Sequence, residues 1–350
     1  MNRPEKPFRR KLDIKNGRVD LSHGAGGRAM AQLVADLFVA AFDNDMLSAG
    51  NDQAAFDVSE GRMVMTTDGY VVSPLFFPGG DIGSLSVHGT INDVAMAGAR
   101  PLYLSASFII EEGFALSDLS RIVGSMAAAA RDARVKIVTG DTKVVERGKA
   151  DGVFISTTGV GVVPEGLNLS ADAARPGDKV LLSGTIGDHG IAVMSKRENL
   201  TFDTEILSDS AALHGLVAAM VAAGGPGLRL MRDPTRGGLA ATLNEVAASS
   251  GVGFKLEEAA IPVRPQVHAA CEFLGLDPLY VANEGKLVAV VAPDHAEAVL
   301  TAMRAHPLGL DAAPIGEVVA DDNRFVQLTT AFGGGRIVDW LSGDQLPRIC

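Results

Sequence analysis

Phe76-Phe77-Pro78-Gly79-Gly80-Asp81-Ile82-Gly83 turns the chain into a helix that runs to about residue 97. Proline and paired glycines punctuate the turn. The helix body carries Asn92-Asp93 beside Ala95, Met96 and Ala97. A carboxylate buried there would need a cation or hydrogen-bond donors, so Asp93 is either exposed or a ligand. On the N-terminal side, 62–67 reads as a strand ending in Asp68-Gly69, preceded by Asn51-Asp52. On the C-terminal side come a buried strand (102–110), a helix (116–133), a short strand (135–138) delivering Thr139-Gly140-Asp141-Thr142-Lys143, and a strand over 152–163. The elements alternate without the regular βα units of a doubly wound sheet.

Before this unit, Leu21-Ser22-His23-Gly24-Ala25-Gly26-Gly27 leads into an amphipathic helix over 30–42. Glycine-rich loops that open helices offer free N–H groups to phosphate, and a plain loop-to-helix turn explains the stretch equally well. After it, 164–177 is polar, with proline and glycine at its edges, and reads as a linker. A second unit (178–332) starts with a strand and Gly184-Thr185-Ile186-Gly187-Asp188-His189-Gly190. His189 is either catalytic or a turn residue bonded to backbone. Helices follow at 211–223, 237–249, 266–274 and 295–305, with strands at 254–256, 287–291, 314–319 and 325–328. The helix at 237 opens from Arg232-Asp233-Pro234-Thr235-Arg236. Asp233 or Thr235 could cap it, but Arg236 opposes the helix dipole and suits phosphate. Cys271, on the 266–274 helix, reads as core.

The chain has 350 residues, enough for two domains. The net charge of −11 disfavours nucleic acid and anionic membranes as partners. Residues 1–19 include the small basic cluster Arg9, Arg10 and Lys11 and read as an accessory arm, not a signal peptide. Two cysteines cannot build a disulfide framework and fit a reducing cytoplasm. One of them, Cys350, is the last residue, behind Leu346-Pro347-Arg348-Ile349. The run Gly333-Gly334-Gly335 reads as a hinge, and fifteen residues beyond it could span roughly 50 Å. The expectation is a mobile tail (333–350), with Arg348 favouring the thiolate form of Cys350.

Asp52, Asp68, Asp93 and Asp233, with glycine loops and Lys143, suggest nucleotide phosphates held through Mg²⁺. There is no Walker A loop, G-x-G-x-x-G fingerprint or kinase signature. The combination His23–Gly27, Ser73–Gly83, Gly140–Gly148, Ser183–Gly190, Asp233–Gly238, Asn283–Lys286 and the terminal Pro-Arg-Ile-Cys closely resembles the HypE hydrogenase maturation factors. These are carbamoyl dehydratases of the aminoimidazole ribonucleotide synthetase and selenophosphate synthetase superfamily.

The resemblance implies an α/β (α+β) fold of two domains, an N-terminal one (20–163) for ATP and dimerisation and a C-terminal one (178–332). Two N-terminal domains would pair into a β-barrel homodimer. It implies ATP and Mg²⁺ as cofactors, with Asp52, Asp68, Asp93 and Asp233 as metal ligands. Gly24, Gly26, Gly27, Asp81, Gly83, Asp141, Thr142, Thr235 and Arg236 would bind ATP or its phosphates. Cys350 would be both modified and catalytic, with Lys143 neutralising phosphate charge and Glu284 or His189 as base. His88 stands where a small residue or cysteine is expected, and no role is attached to it. The implied partners are a HypF-type carbamoyltransferase and a HypC–HypD complex as cyanide acceptor. The alternatives are another ATP-using synthetase of the superfamily, which would not need Cys350, and a scaffold with no cysteine-dependent ATP turnover.

Overall fold

The computed structural model describes residues 12–25, 28–48, 54, 56–57, 61–200, 205–340, 346 and 348–350. Asp52, Gly26, Gly27 and residues 1–11 lie outside them. The first unit is a four-stranded sheet in the order β1-β6-β4-β5, formed by β1 (Arg62–Tyr70), β4 (Arg100–Glu111), β5 (Lys136–Val145) and β6 (Val153–Val163). A two-residue hairpin, β2 (Phe76–Phe77) and β3 (Gly80–Asp81), precedes the central helix. β1, β6 and β4 pair antiparallel, and β4 and β5 pair in parallel. α1 (Arg28–Leu33) runs through a π-helical stretch into α2 (Ala40–Phe42), and α3 (Asp45–Ser48) follows. α4 (Ile82–Met96) and α5 (Leu116–Asp132) cover one sheet face. Alternate strand residues such as Leu104, Ala106, Phe108 and Ile110 are buried there. On the other face Phe56 packs on Tyr103, and Met63, Met65 and Ile109 are exposed.

β5 corrects the short strand expected at 135–138. It continues through Thr139–Lys143, so that motif is strand, paired with β4 at Asp141↔Ser107 and Lys143↔Ile109. Its polar residues hid the strand because β5 is a sheet edge, where charge is the usual protection against further pairing.

The second unit is a seven-stranded sheet in the order β13-β12-β9-β11-β7-β10-β8. Its strands are β7 (Lys179–Leu182), β8 (Leu228–Arg232), β9 (Gly253–Glu257), β10 (Val288–Val291), β11 (Ala313–Val319), β12 (Val326–Thr329) and β13 (Gly335–Ile337). Its helices are α6 (Asp188–Arg197), α7 (His214–Gly224), α8 (Gly238–Ser250), α9 (Pro265–Leu274) and α10 (Pro293–Arg304). Cys271 is core, as expected.

The glycine run is not a hinge. Gly333, at φ +83°, makes the turn of the β12–β13 hairpin. Val338, 1% exposed, then donates to Val326 O and accepts from Asn244 Nδ2. Ordered structure therefore extends to 338, past the expected start of the tail.

α4 joins the two units. Its end, Ala95 and Met96, packs in one apolar cluster with Leu213, Leu216, Leu287 and Ala289 of the second unit. Asn92 is buried on the same helix. It donates to Ala211 O and Glu284 O at 3.0 Å each and accepts from Leu213 N at 2.8 Å.

Candidate active site

A cleft of about 340 Å³ lies between the units, bounded by the end of β1, one face of α4, the loop after β8 and the loop before β10. β1 delivers Asp68, which accepts from the Tyr70 hydroxyl at 3.0 Å. Tyr70 is buried and also bonds Thr90 at 3.2 Å. A Cβ on Gly89 would lie 2.3 Å from that hydroxyl, so glycine makes room for the phenol. Asp93 faces the cleft and accepts from Thr66 Oγ1 at 2.9 Å. Burial, reinforced by Asp68, holds its carboxyl above the usual carboxylate range. Asp233, in the loop after β8, is pushed up to about 7 by burial and by Asp93. Thr235 and Arg236 line the same wall.

The motif Asn283–Lys286 divides its work by residue. Asn283 accepts from Gly187 N and donates to Pro234 O, tying two loops together. Glu284 is 3% exposed and its Oε1 has no hydrogen-bond partner. Burial raises its carboxyl well above the ordinary value, and Asp233 and Asp209 raise it further. Gly285 is required because a Cβ would meet Asp209 O at 1.7 Å. Lys286 pairs with Asp209 at 3.4 Å, and Asp209 in turn accepts from the Glu284 N–H.

Cys350 closes the cleft. Val71 N donates to Cys350 O (3.2 Å), and Ser73 N to Arg348 O (3.1 Å). Arg236 lines the cleft together with Cys350. Burial, with Glu284 beside it, nonetheless pushes the thiol up to about 12, against the pull of Arg236. The expectation that Arg348 favours thiolate is thereby corrected. The Arg348 guanidinium pairs with Asp151 and reaches Val71 O, away from the sulfur.

Other predicted residues fall elsewhere. Asp81 caps α4, accepting from Gly83 N and Ser84 N. A Cβ on Gly83 would lie 2.2 Å from Ile122 O, so this glycine serves the packing of α4 on α5. Capping and packing thus engage both residues expected at the phosphates. Gly24 packs on Val144, where a Cβ would meet Val144 N at 2.7 Å. Asp141 and Thr142 line a small apolar pocket with Phe38 and Phe108, and Lys143 pairs with Asp141 at 2.6 Å. This group sits at the β5 edge, with β6 and β4 between it and Asp68 on β1, about 14 Å away at ~4.8 Å per strand. His189 is buried and neutral. Its Nε2–H donates to Ile349 O (2.9 Å) and its Nδ1 accepts from Ser208 Oγ (2.8 Å). With both nitrogens engaged it holds the tail and is not placed as a base.

Sequence reasoning missed Tyr70, Gly89, Asp209 and Arg197. The first two form one contact across two elements, and nothing in either local string signals it.

Among the described residues no three His, Cys, Asp or Glu side chains converge into a complete metal cage. The donor set still fits a hard divalent ion. Asp68 raises the proton affinity of Asp93, and both raise that of Asp233, and a cation held jointly with phosphate oxygens relieves that repulsion.

Residues 50–163 match the family model of the AIR synthase related protein N-terminal domain, and 175–329 that of its C-terminal domain. Carbamoyl dehydratase HypE of Rhizobium leguminosarum bv. viciae is 75% identical over 350 residues, covering 100% of both chains. The chain belongs to the HypE family. A crystal structure of HypE in complex with ATP is 50% identical and covers 95% of this chain and 99% of its own, with a TM-score of 0.91. A HypE–HypF complex is 53% identical over 88% of this chain and 99% of that one, with a TM-score of 0.78. The two-domain α/β fold expected from the sequence is therefore the HypE fold.

Proposed function

We propose that this HypE-family chain is an ATP-dependent carbamoyl dehydratase acting on its own Cys350. It converts the S-carbamoyl group to a thiocyanate that supplies cyanide for the iron of a [NiFe] hydrogenase. The observation that carries this reading is that Cys350 lines one acid-walled cleft with Arg236 and with Glu284, whose buried Oε1 has no partner.

ATP supplies the γ-phosphoryl group that makes the carbamoyl oxygen a leaving group, so that oxygen departs in phosphate. Asp68, Asp93 and Asp233 would hold Mg²⁺, with Asp52 as a further candidate outside the described residues. Thr235 and Arg236 face the phosphates, and Arg236 neutralises charge growing beside the sulfur. Glu284 Oε1 takes up the two N–H protons of the carbamoyl nitrogen in turn, the first, passed on to solvent, after the oxygen is phosphorylated, and the second as phosphate leaves and the C≡N bond forms. Its raised affinity for protons makes it a strong proton acceptor once ionised. The S–C bond is kept throughout.

A thiol pushed to about 12 is a poor nucleophile, so Cys350 takes up its carbamoyl group outside the cleft, in the site of a HypF-type carbamoyltransferase. A HypC–HypD complex is the proposed cyanide acceptor, and the cytoplasm the compartment that keeps the thiol reduced. Lys143, Asp141 and Thr142 reach phosphate only from a second copy. The exposed Met63, Met65 and Ile109 on one sheet face support a homodimer in which the β5 edge of one copy meets the β1 edge of the other. The test is intact mass after incubation with the carbamoyltransferase, carbamoyl phosphate and ATP. Gain of a carbamoyl group followed by loss of one water is expected. A carbamoyl adduct that persists with ATP present would reject the dehydratase reading.

A further inference from the structure

The last three residues are gripped through their backbone. Cys350 O accepts from Val71 N, Ile349 O from His189 Nε2, and Arg348 O from both Ser73 N and Arg197 Nη2 (2.8 Å). The same Arg197 guanidinium donates to Ser73 O through Nε at 2.8 Å and Nη2 at 2.6 Å. One planar fork therefore bonds the tail and the segment it lies against. The pairs 71 with 350 and 73 with 348 run in opposite directions, so the tail adds to this segment as an antiparallel strand would. Side chains set the depth. Ile349 is 2% and Leu346 8% exposed. Gly190 leaves room for Leu346, whose Cδ1 would lie 3.2 Å from a Cβ there.

We infer that His189 and Arg197, both on α6, are positioning residues for the dehydration step. They latch the tail carbonyls so that the Cys350 sulfur stops beside Glu284 and Arg236. Neither touches the reacting atoms. Carbonyl recognition lets the latch hold the tail identically whether the sulfur is free or carbamoylated, because the modification leaves these oxygens unchanged. Release needs the parting of a few hydrogen bonds and two apolar side chains, which suits a tail that visits a second enzyme. The inference rests on the proposed function for its catalytic consequence, but the latch itself is measurable without nucleotide or partner.

The test uses the full chain with Arg197→Gln, Arg197→Lys and His189→Gln. The first readout is alkylation of Cys350 by iodoacetamide without nucleotide, mapped by peptide mass to separate it from buried Cys271. Arg197→Gln should speed it about tenfold to a hundredfold, the loss expected for charge-assisted hydrogen bonds. Arg197→Lys should fall between, since an ammonium cannot reproduce the fork. The second readout is a single turnover of the carbamoylated protein. Thiocyanate formation should slow in both Gln variants while carbamoylation by the carbamoyltransferase and Mg-ATP affinity stay at wild-type levels. Unchanged alkylation in both Gln variants would overturn the latch. Faster alkylation accompanied by lost Mg-ATP affinity would also overturn it, because the residues would then be holding the fold and not the tail. If the wild-type protein itself makes no thiocyanate, the proposed function fails while the alkylation result still decides the latch.

Discussion

Gly89 lies mid-helix, where alanine ordinarily stabilises by about 0.8–1 kcal/mol. Here its Cβ would stand 2.3 Å from the Tyr70 hydroxyl and 3.2 Å from two ring carbons. Tyr70 is 2% exposed and tied to Asp68 and Thr90, so the ring has no free direction of retreat. Gly89→Ala is expected to destabilise by about 1–3 kcal/mol, the usual cost of overpacking. It should also weaken Mg-ATP binding by dislodging Asp68. Tyr70→Phe alone should cost about 1–3 kcal/mol through its lost hydrogen bonds. In the Tyr70→Phe background the obstructing oxygen is gone, and the remaining 3.2 Å contacts need a shift of only tenths of an ångström. Adding Gly89→Ala there should cost nothing and recover part of the helix-propensity gain. The pair should therefore couple by about 1–3 kcal/mol in a double-mutant cycle measured by urea unfolding. Additive effects would refute the contact as the reason for the glycine.

Asp233 is raised to about 7 in the fold from an ordinary 3.8, so the folded chain keeps a proton that the unfolded chain has shed. Stability without ligand should therefore fall as pH climbs from about 4 to about 7; thermal melts of Asp233→Asn should show that slope flattened, and calorimetry should show Mg-ATP binding lost. Asn92→Ala would leave Ala211 O, Glu284 O and Leu213 N without a partner at about 1–3 kcal/mol each. A loss of at least 3 kcal/mol in denaturant unfolding is expected, and under 1 kcal/mol would contradict the clamp. Lys143→Ala and Asp68→Asn should each abolish thiocyanate formation alone, yet mixed dimers of the two should recover about a quarter to a half of it, because one composite site carries neither change. No recovery on mixing would place Lys143 in its own chain's site.

Local strings disclosed chemistry better than geometry. Asp68, Asp93, Asp233 and Glu284 announced themselves because a carboxylate in an apolar or glycine-rich setting needs a reason, and all four line the cleft. Asp81 and Gly83 looked equally like phosphate ligands, but helix capping and close helix packing use the same residue types. The Thr139–Lys143 strand was hidden because an edge strand has charge where a central one has valine. Arg348 was read from its nearness in sequence to the sulfur, whereas Asp151, distant in sequence, claims it. His189 was seen as a choice between catalysis and a turn, and its partner, the Ile349 carbonyl 160 residues away, had no local trace.

The β12–β13 hairpin shortens the leash. The Tyr280 hydroxyl still holds Asp339 O, and eleven residue steps lead from that anchor to Cys350, a reach of at most about 40 Å at ~3.3–3.6 Å per residue. A thiol confined to that radius faces its own cleft at an effective concentration on the order of millimolar. Docking therefore needs only weak intrinsic contacts to dominate in the free protein. A partner competing for the tail must offer its own site within the same radius and at comparable local concentration, which requires it to bind this chain first and the tail second.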